Sequence, residues 1–190
     1  MTLIDHPSPN HSPRRQGVRV DTVLLHHTAS NNNVAPVVWM LNPKSSVSAH
    51  YAILTDGDVL RLVPEHLKAW HAGKGRLPWE TAPPYDFNHR SIGIELVNPG
   101  DGVTPFTEAQ YRALGELLPD IVRRLGSTAS IAAGWTGDTG GRATRVPVRS
   151  DVGGVVYILG HRDVAPGRKT DPADNFDWGR VRAMFEGRVT

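Results

Sequence analysis

The chain has 190 residues, of which 39% are hydrophobic and 21% charged, with a formal net charge of +2. These proportions suit one folded domain with a core of its own and exclude a disordered polyelectrolyte. A pI near 9.1 without any run of five or six basic residues leaves no arm for nucleic acid, and the absence of cysteine excludes disulfides, thiolate metal sites and a thiol nucleophile.

The opening "MTLIDHPSPNHSPRRQGVRV" has no apolar signal-peptide core, and no apolar run approaches the ~20 residues that span a bilayer. The expectation is a chain made in the cytoplasm without a signal peptide or an integral membrane segment. Residues 1–20, rich in Pro, Ser, His and Arg, read as an extended lead-in. "DTVLLHHTAS" carries a short apolar run, Val23 to Leu25, that predicts a buried strand. "NNNVAPVVWMLN" predicts a short helix with an asparagine cap before Val34 and Pro36 in the first turn. A hairpin follows: Tyr51 to Leu54, an Asp56-Gly57 turn, then Val59 to Val63. "SIGIELVNP" alternates Ile92, Ile94 and Leu96 against Gly93, Glu95 and Val97, the pattern of another strand.

"TEAQYRALGELLPDIVRRLG" is the clearest helix, with Thr107 as its N-cap and Gly126 just past its end. Pro119 inside that pattern predicts a kink or a break. Residues 127–154, rich in Gly, Thr, Ser and Arg and without periodicity, read as a loop insertion. "GVVYILG" is a central strand by its continuous apolar character, and "DWGRVRAMFEGR" predicts a C-terminal helix. The interleaving of strands and helices points to an α/β fold, a single domain over 1–190 with a central mixed sheet flanked by helices in two or three layers.

Chemistry gathers at strand ends. His26 and His27 close the first buried strand, His161 follows the last, and Asp171 lies ten residues beyond. Two imidazoles and a carboxylate with one open position make a catalytic zinc site, which acidifies water and polarises a carbonyl. Successive strand residues face opposite sides, so His26 and His27 do not both bind one ion, and periodicity alone does not choose between them. Considered singly, a strand-end histidine is more often a satisfied polar cap, Glu95 an exposed strand residue, and Lys169 a solvated cation.

The motifs "SPNHSPRR", "VLLHHTAS", "SVSAHYAILTDGDVLRLVPEHLKAWHAG", "HRSIGIELVNPG" and "GHRDVAPGRKTDP", taken in that order, resemble the zinc-dependent N-acetylmuramoyl-L-alanine amidases, including phage lysozyme-like amidases and peptidoglycan recognition proteins. The resemblance covers roughly residues 7–100 and 155–180. It implies Zn²⁺ held by His26, His161 and Asp171, with Glu95 as general base for water and Lys169 as stabiliser of the tetrahedral oxyanion. It further implies that His50, Trp70 and His71 line a substrate groove and that Asn98 and Arg168 meet the peptide stem. Thr28 is expected to hydrogen-bond near the ligand histidine.

The implied reaction is hydrolysis of the amide between muramic acid and L-alanine in peptidoglycan or soluble muropeptide. A phage endolysin, a wall-remodelling enzyme and a recycling enzyme all fit, and the expected assembly is a monomer that binds no nucleic acid. An endolysin acts at the wall, a recycling enzyme in the cytoplasm. The chain departs from many relatives at Ala173, where they carry glycine, and in the 127–154 stretch. Two other readings remain: a non-catalytic peptidoglycan-recognition module, and a zinc peptidase cutting within the stem. Neither an HExxH helix nor a G-x-S-x-G turn is present.

Overall fold

The computed structural model describes residues 3–126, 146–149 and 155–185. The N-terminal residues form β1 (Leu3–Asp5) and β2 (His11–Pro13), followed by β3 (Thr22–His27) and α1 (Ala35–Leu41). A hairpin of β4 (Tyr51–Ile53) and β5 (Val59–Arg61) leads through β6 (Leu67–Ala69), β7 (Lys74–Gly75) and β8 (Tyr85–Asp86) to β9 (Ser91–Leu96). The long α2 (Glu108–Arg124) follows, then β10 (Val146–Arg149), β11 (Val155–Gly160), α3 (His161–Val164) and α4 (Trp178–Ala183).

Among the described residues seven strands pair in the order β1-β5-β4-β9-β3-β11-β10. The centre is parallel, β4 with β9, β9 with β3 and β3 with β11, while β4–β5 and β10–β11 are antiparallel. Both faces are covered, as a parallel centre requires. On one face Val23, Leu25, Ile92, Ile94 and Leu96 pack with Leu114, Leu117, Leu118, Ile121 and Val122 of α2 in the largest core cluster. On the other, Leu24 and Leu159 pack with Ala72, Leu77, Phe87 and Val164. The alternation along β3 and β9 therefore sorts their side chains, leaving His26 and Glu95 on the face opposite α2.

The helix α2 begins with a reciprocal capping box. The Gln110 backbone N–H donates to Thr107 Oγ1 at 3.1 Å, and the Thr107 N–H donates to Gln110 Oε1 at 3.0 Å. Pro119 does not break it: one helix runs unbroken from Glu108 to Arg124. Five fully buried aliphatic side chains on the sheet-facing side, each contributing about 1.5–3 kcal/mol, outweigh the ~3 kcal/mol cost of an internal proline. In α1 the cap comes from Asn32, whose Oδ1 accepts the N–H groups of Val34 and Ala35 at 2.7 and 3.0 Å.

The first twenty residues do more than lead in. β1 pairs with β5 and β2 with β6. The Arg14 guanidinium donates to the carbonyls of Glu65, Asn88, His89 and Ser91 at 2.8–3.0 Å. Burial lowers it toward about 10, which leaves it charged at neutral pH. Within 127–154, expected as loop throughout, residues 146–149 form β10 on β11, and the rest lie outside the described residues. Ala173 is buried in the core cluster, and among the described residues the only non-glycine positive φ angles belong to Ala29 and Ser46. The backbone at Ala173 therefore does not call for glycine.

Candidate metal centre

Three parallel strands carry the site at their carboxyl ends, where open α/β sheets place ligands. The register pairs His26 with Glu95 across β3 and β9, and Leu25 with Gly160 across β3 and β11. His161, the next residue after Gly160, therefore emerges beside His26. Asp171 comes back to the same point from the segment after α3: Arg162 N–H donates to the Asp171 carbonyl at 2.9 Å.

The side chains converge on one oxygen. His26 Nδ1 lies 2.7 Å and His161 Nδ1 3.2 Å from Asp171 Oδ2, and the three donor atoms lie within 4.8 Å of one another. All three residues are buried. His161 Nε2 is 2.9 Å from the Ala72 carbonyl, which only accepts, so Nε2 carries a proton and Nδ1 is the ring nitrogen turned to Asp171. Two imidazole nitrogens and one carboxylate oxygen are a donor set that zinc takes, with a fourth position left over. The residues fit a metal ion.

The electrostatics agree. Burial pushes His26 down to about 4 in spite of Asp171, so at neutral pH it is the uncharged ligand form. Burial acts to raise the Asp171 carboxyl, yet the two imidazoles facing it hold it well below the usual carboxylate range. Glu95 is pushed up to about 8, first by burial and then by the Asp171 charge, against the opposing charge of Lys169. Among the described residues its buried Oε2 has no hydrogen-bond partner. Lys169 is exposed on the segment leading into Asp171, and its charge bears on His26 and Glu95. His27 points away from the donor set. Its ring packs over Gly100, where a Cβ would come within 2.2 Å of Nε2.

The residues expected in a groove differ in exposure and in their partners. His50 is 0% exposed; its Nδ1 accepts the Gly93 N–H at 2.9 Å and the Arg14 guanidinium lies 2.9 Å from Nε2. Burial and that cation push it down to about 3. It braces β9 from inside the protein. Asn98, 2% exposed, donates to the Thr104 carbonyl at 3.0 Å and accepts the Gly100 N–H at 2.8 Å, so its amide holds the 98–104 turn. The His71 ring is turned inward, with Nδ1 3.0 Å from His26 Nε2. Trp70 is half-buried and donates from Nε1 to Ser12 Oγ at 3.2 Å. Arg168 is exposed and donates to the Ala72 carbonyl at 2.9 Å. Thr28 Oγ1 accepts the Asn98 N–H at 3.3 Å. Sequence reasoning missed Ala72, Asn88 and Ser91, which carry no charge or motif of their own, and Arg14, whose presence in "SPRR" was the available signal.

A mixed α/β sheet whose adjacent strand ends and the segment after α3 gather two imidazoles, two carboxylates and a lysine has the parts of a metal-dependent hydrolase. Residues 16–174 match the N-acetylmuramoyl-L-alanine amidase family, and the chain belongs to it. Among relatives, the 1,6-anhydro-N-acetylmuramyl-L-alanine amidase AmpD of Enterobacter cloacae is 28% identical over 94% of this chain and 88% of its own length. AmpD of Escherichia coli K12 is 32% identical over 76% of this chain, a match that takes in 61% of that enzyme. In fold, a crystal structure of a selenomethionine derivative of AmpD superposes with a TM-score of 0.66 at 24% identity, over 95% of this chain and 92% of that one. Among the described residues no helix is long and apolar enough to cross a membrane.

Proposed function

We propose that this chain hydrolyses the amide joining the lactyl group of N-acetylmuramic acid to L-alanine, with zinc held by His26 Nδ1, His161 Nδ1 and Asp171 Oδ2. The observation that carries the reading is the buried donor set with Glu95 one strand away from His26. A zinc ion there supplies Lewis acidity, polarising a carbonyl oxygen and lowering the pKa of water. Glu95 takes a proton from the attacking water as the new C–O bond forms and delivers it to the alanine nitrogen as the C–N bond breaks. The exposed Lys169, whose charge bears on His26 and Glu95, stabilises the oxygen on which negative charge develops. The products are a lactyl carboxylate and a stem peptide with a free amine.

The substrate in this reading is a soluble 1,6-anhydro-muropeptide, supported by the likeness to relatives named for that substrate over most of this chain. Mass spectrometry of products from soluble anhydro-muropeptide and from intact sacculi tests it. Cleavage of the soluble fragment alone supports a recycling role. Free stem peptides from sacculi would reassign the chain to wall lysis, and cuts within the stem would reassign it to peptidases.

A further inference from the structure

We infer that His71 and Ala72, clamped by Asn88, form a bracket that sets the tautomer of both ligand histidines so that each offers Nδ1 to the metal. The inference rests on the zinc reading above and assigns to the bracket a positioning role in it. Asn88, 6% exposed, accepts the His71 and Ala72 backbone N–H groups on one oxygen, Oδ1, at 3.0 and 2.7 Å. One clamped dipeptide thereby reaches both imidazoles: Ala72 through its carbonyl to His161 Nε2 at 2.9 Å, His71 through its ring to His26 Nε2 at 3.0 Å.

The proton positions follow from where the chain of hydrogen bonds ends. Ser91 Oγ lies 2.9 Å from the Phe87 carbonyl and 3.3 Å from His71 Nε2. The carbonyl only accepts, so the single hydroxyl proton of Ser91 goes to Phe87 and its oxygen accepts from His71 Nε2–H. His71 Nδ1 is then the bare nitrogen, which accepts His26 Nε2–H. This leaves the lone pair of His26 on Nδ1, facing Asp171. A metal-bound histidine whose other ring nitrogen donates to a fixed acceptor has its orientation and tautomer set. Space is reserved for the arrangement: a Cβ at Gly93 would lie 2.4 Å from the His71 ring. The interplanar angle of 84° between the two rings, with centroids 5.1 Å apart, directs the edge of one at the other.

The test measures zinc affinity by competition with a chromophoric chelator, in wild type, His71→Asn and His71→Leu. Asparagine carries an amide oxygen at the place of Nδ1, whereas leucine fills space without an acceptor. The expected result is a loss of about 10–100-fold in affinity for His71→Leu, with His71→Asn recovering most of it. Wild-type affinity in His71→Leu, or equal losses in both variants, overturns the bracket in favour of plain packing. ¹⁵N spectra of the zinc-loaded wild type give a reading that needs no variant: His26 and His161 both protonated on Nε2 support the inference, and protonation of either on Nδ1 overturns it. Failure of the wild type to bind zinc at all would overturn the metal reading itself, which separates the two outcomes.

Discussion

Replacing Glu95 by glutamine keeps the shape of the side chain and removes its ionisation, which separates its cost to the fold from its use in the reaction. In the metal-free protein the carboxyl is raised from 4.5 to about 8 by burial and by Asp171, against Lys169. The unfolded chain ionises this group above 4.5, the folded chain only near 8. Its contribution to stability is therefore complete below 4.5 and is lost as pH rises through 8. With those two values the loss between pH 5 and pH 7.5 is about 3 kcal/mol. His26 and His50, depressed in the folded state, act in the opposite direction over the lower part of that range, but both chains share them. The informative quantity is the difference between variant and wild type.

Urea denaturation of the metal-free proteins at the two pH values measures it. Glu95→Gln is expected to gain about 3 kcal/mol on the wild type between pH 5 and pH 7.5. Zinc should shrink that gap, because a cation at the donor set favours the ionised carboxylate. Turnover of the zinc-loaded variant is expected to fall about 10²–10⁴-fold. A stability difference that stays constant with pH would refute the burial argument, and full activity would remove Glu95 from the reaction.

Three further outcomes are expected. Chelation abolishes amide cleavage and zinc restores it; activity in protein shown to be metal-free by elemental analysis refutes the mechanism. His27→Ala retains stoichiometric zinc whereas His26→Ala loses it, because the His27 ring packs over Gly100 on the other side of the strand. The reverse result would exchange the two histidines. Leu117→Ala, at the fully buried contact between α2 and the sheet, destabilises by about 2–5 kcal/mol in urea titrations. A loss under 1 kcal/mol would mean that α2 does not seal the core as described.

Much of the fold was legible in the chain. A continuous apolar run marks β3, a period of two marks β9, and the helical period marks α2, because side-chain direction follows from local backbone geometry. The donors His161 and Asp171, ten residues apart, and the strand-end position of His26 were legible for the same reason, although the choice between His26 and His27 rested on resemblance. Local reading left a break at Pro119 open, and packing against the sheet holds the helix continuous there. It also left residues 1–20 as a lead-in, although Arg14 anchors them through carbonyls more than fifty positions away.

What the sequence determined by itself, then, is the set of elements and the chemical types at their ends. Tertiary structure decided which of those polar groups face one another. His50, His71 and Asn98 carry the same donor and acceptor atoms whether they meet a substrate or a neighbouring carbonyl. Only the register of β3 on β9 and the fold of the 71–88 segment back beneath them commit those atoms to the interior. Hydrogen-bond partners distant in the chain leave no periodic trace in it, so the bracket behind the histidines exists only once the strands have closed.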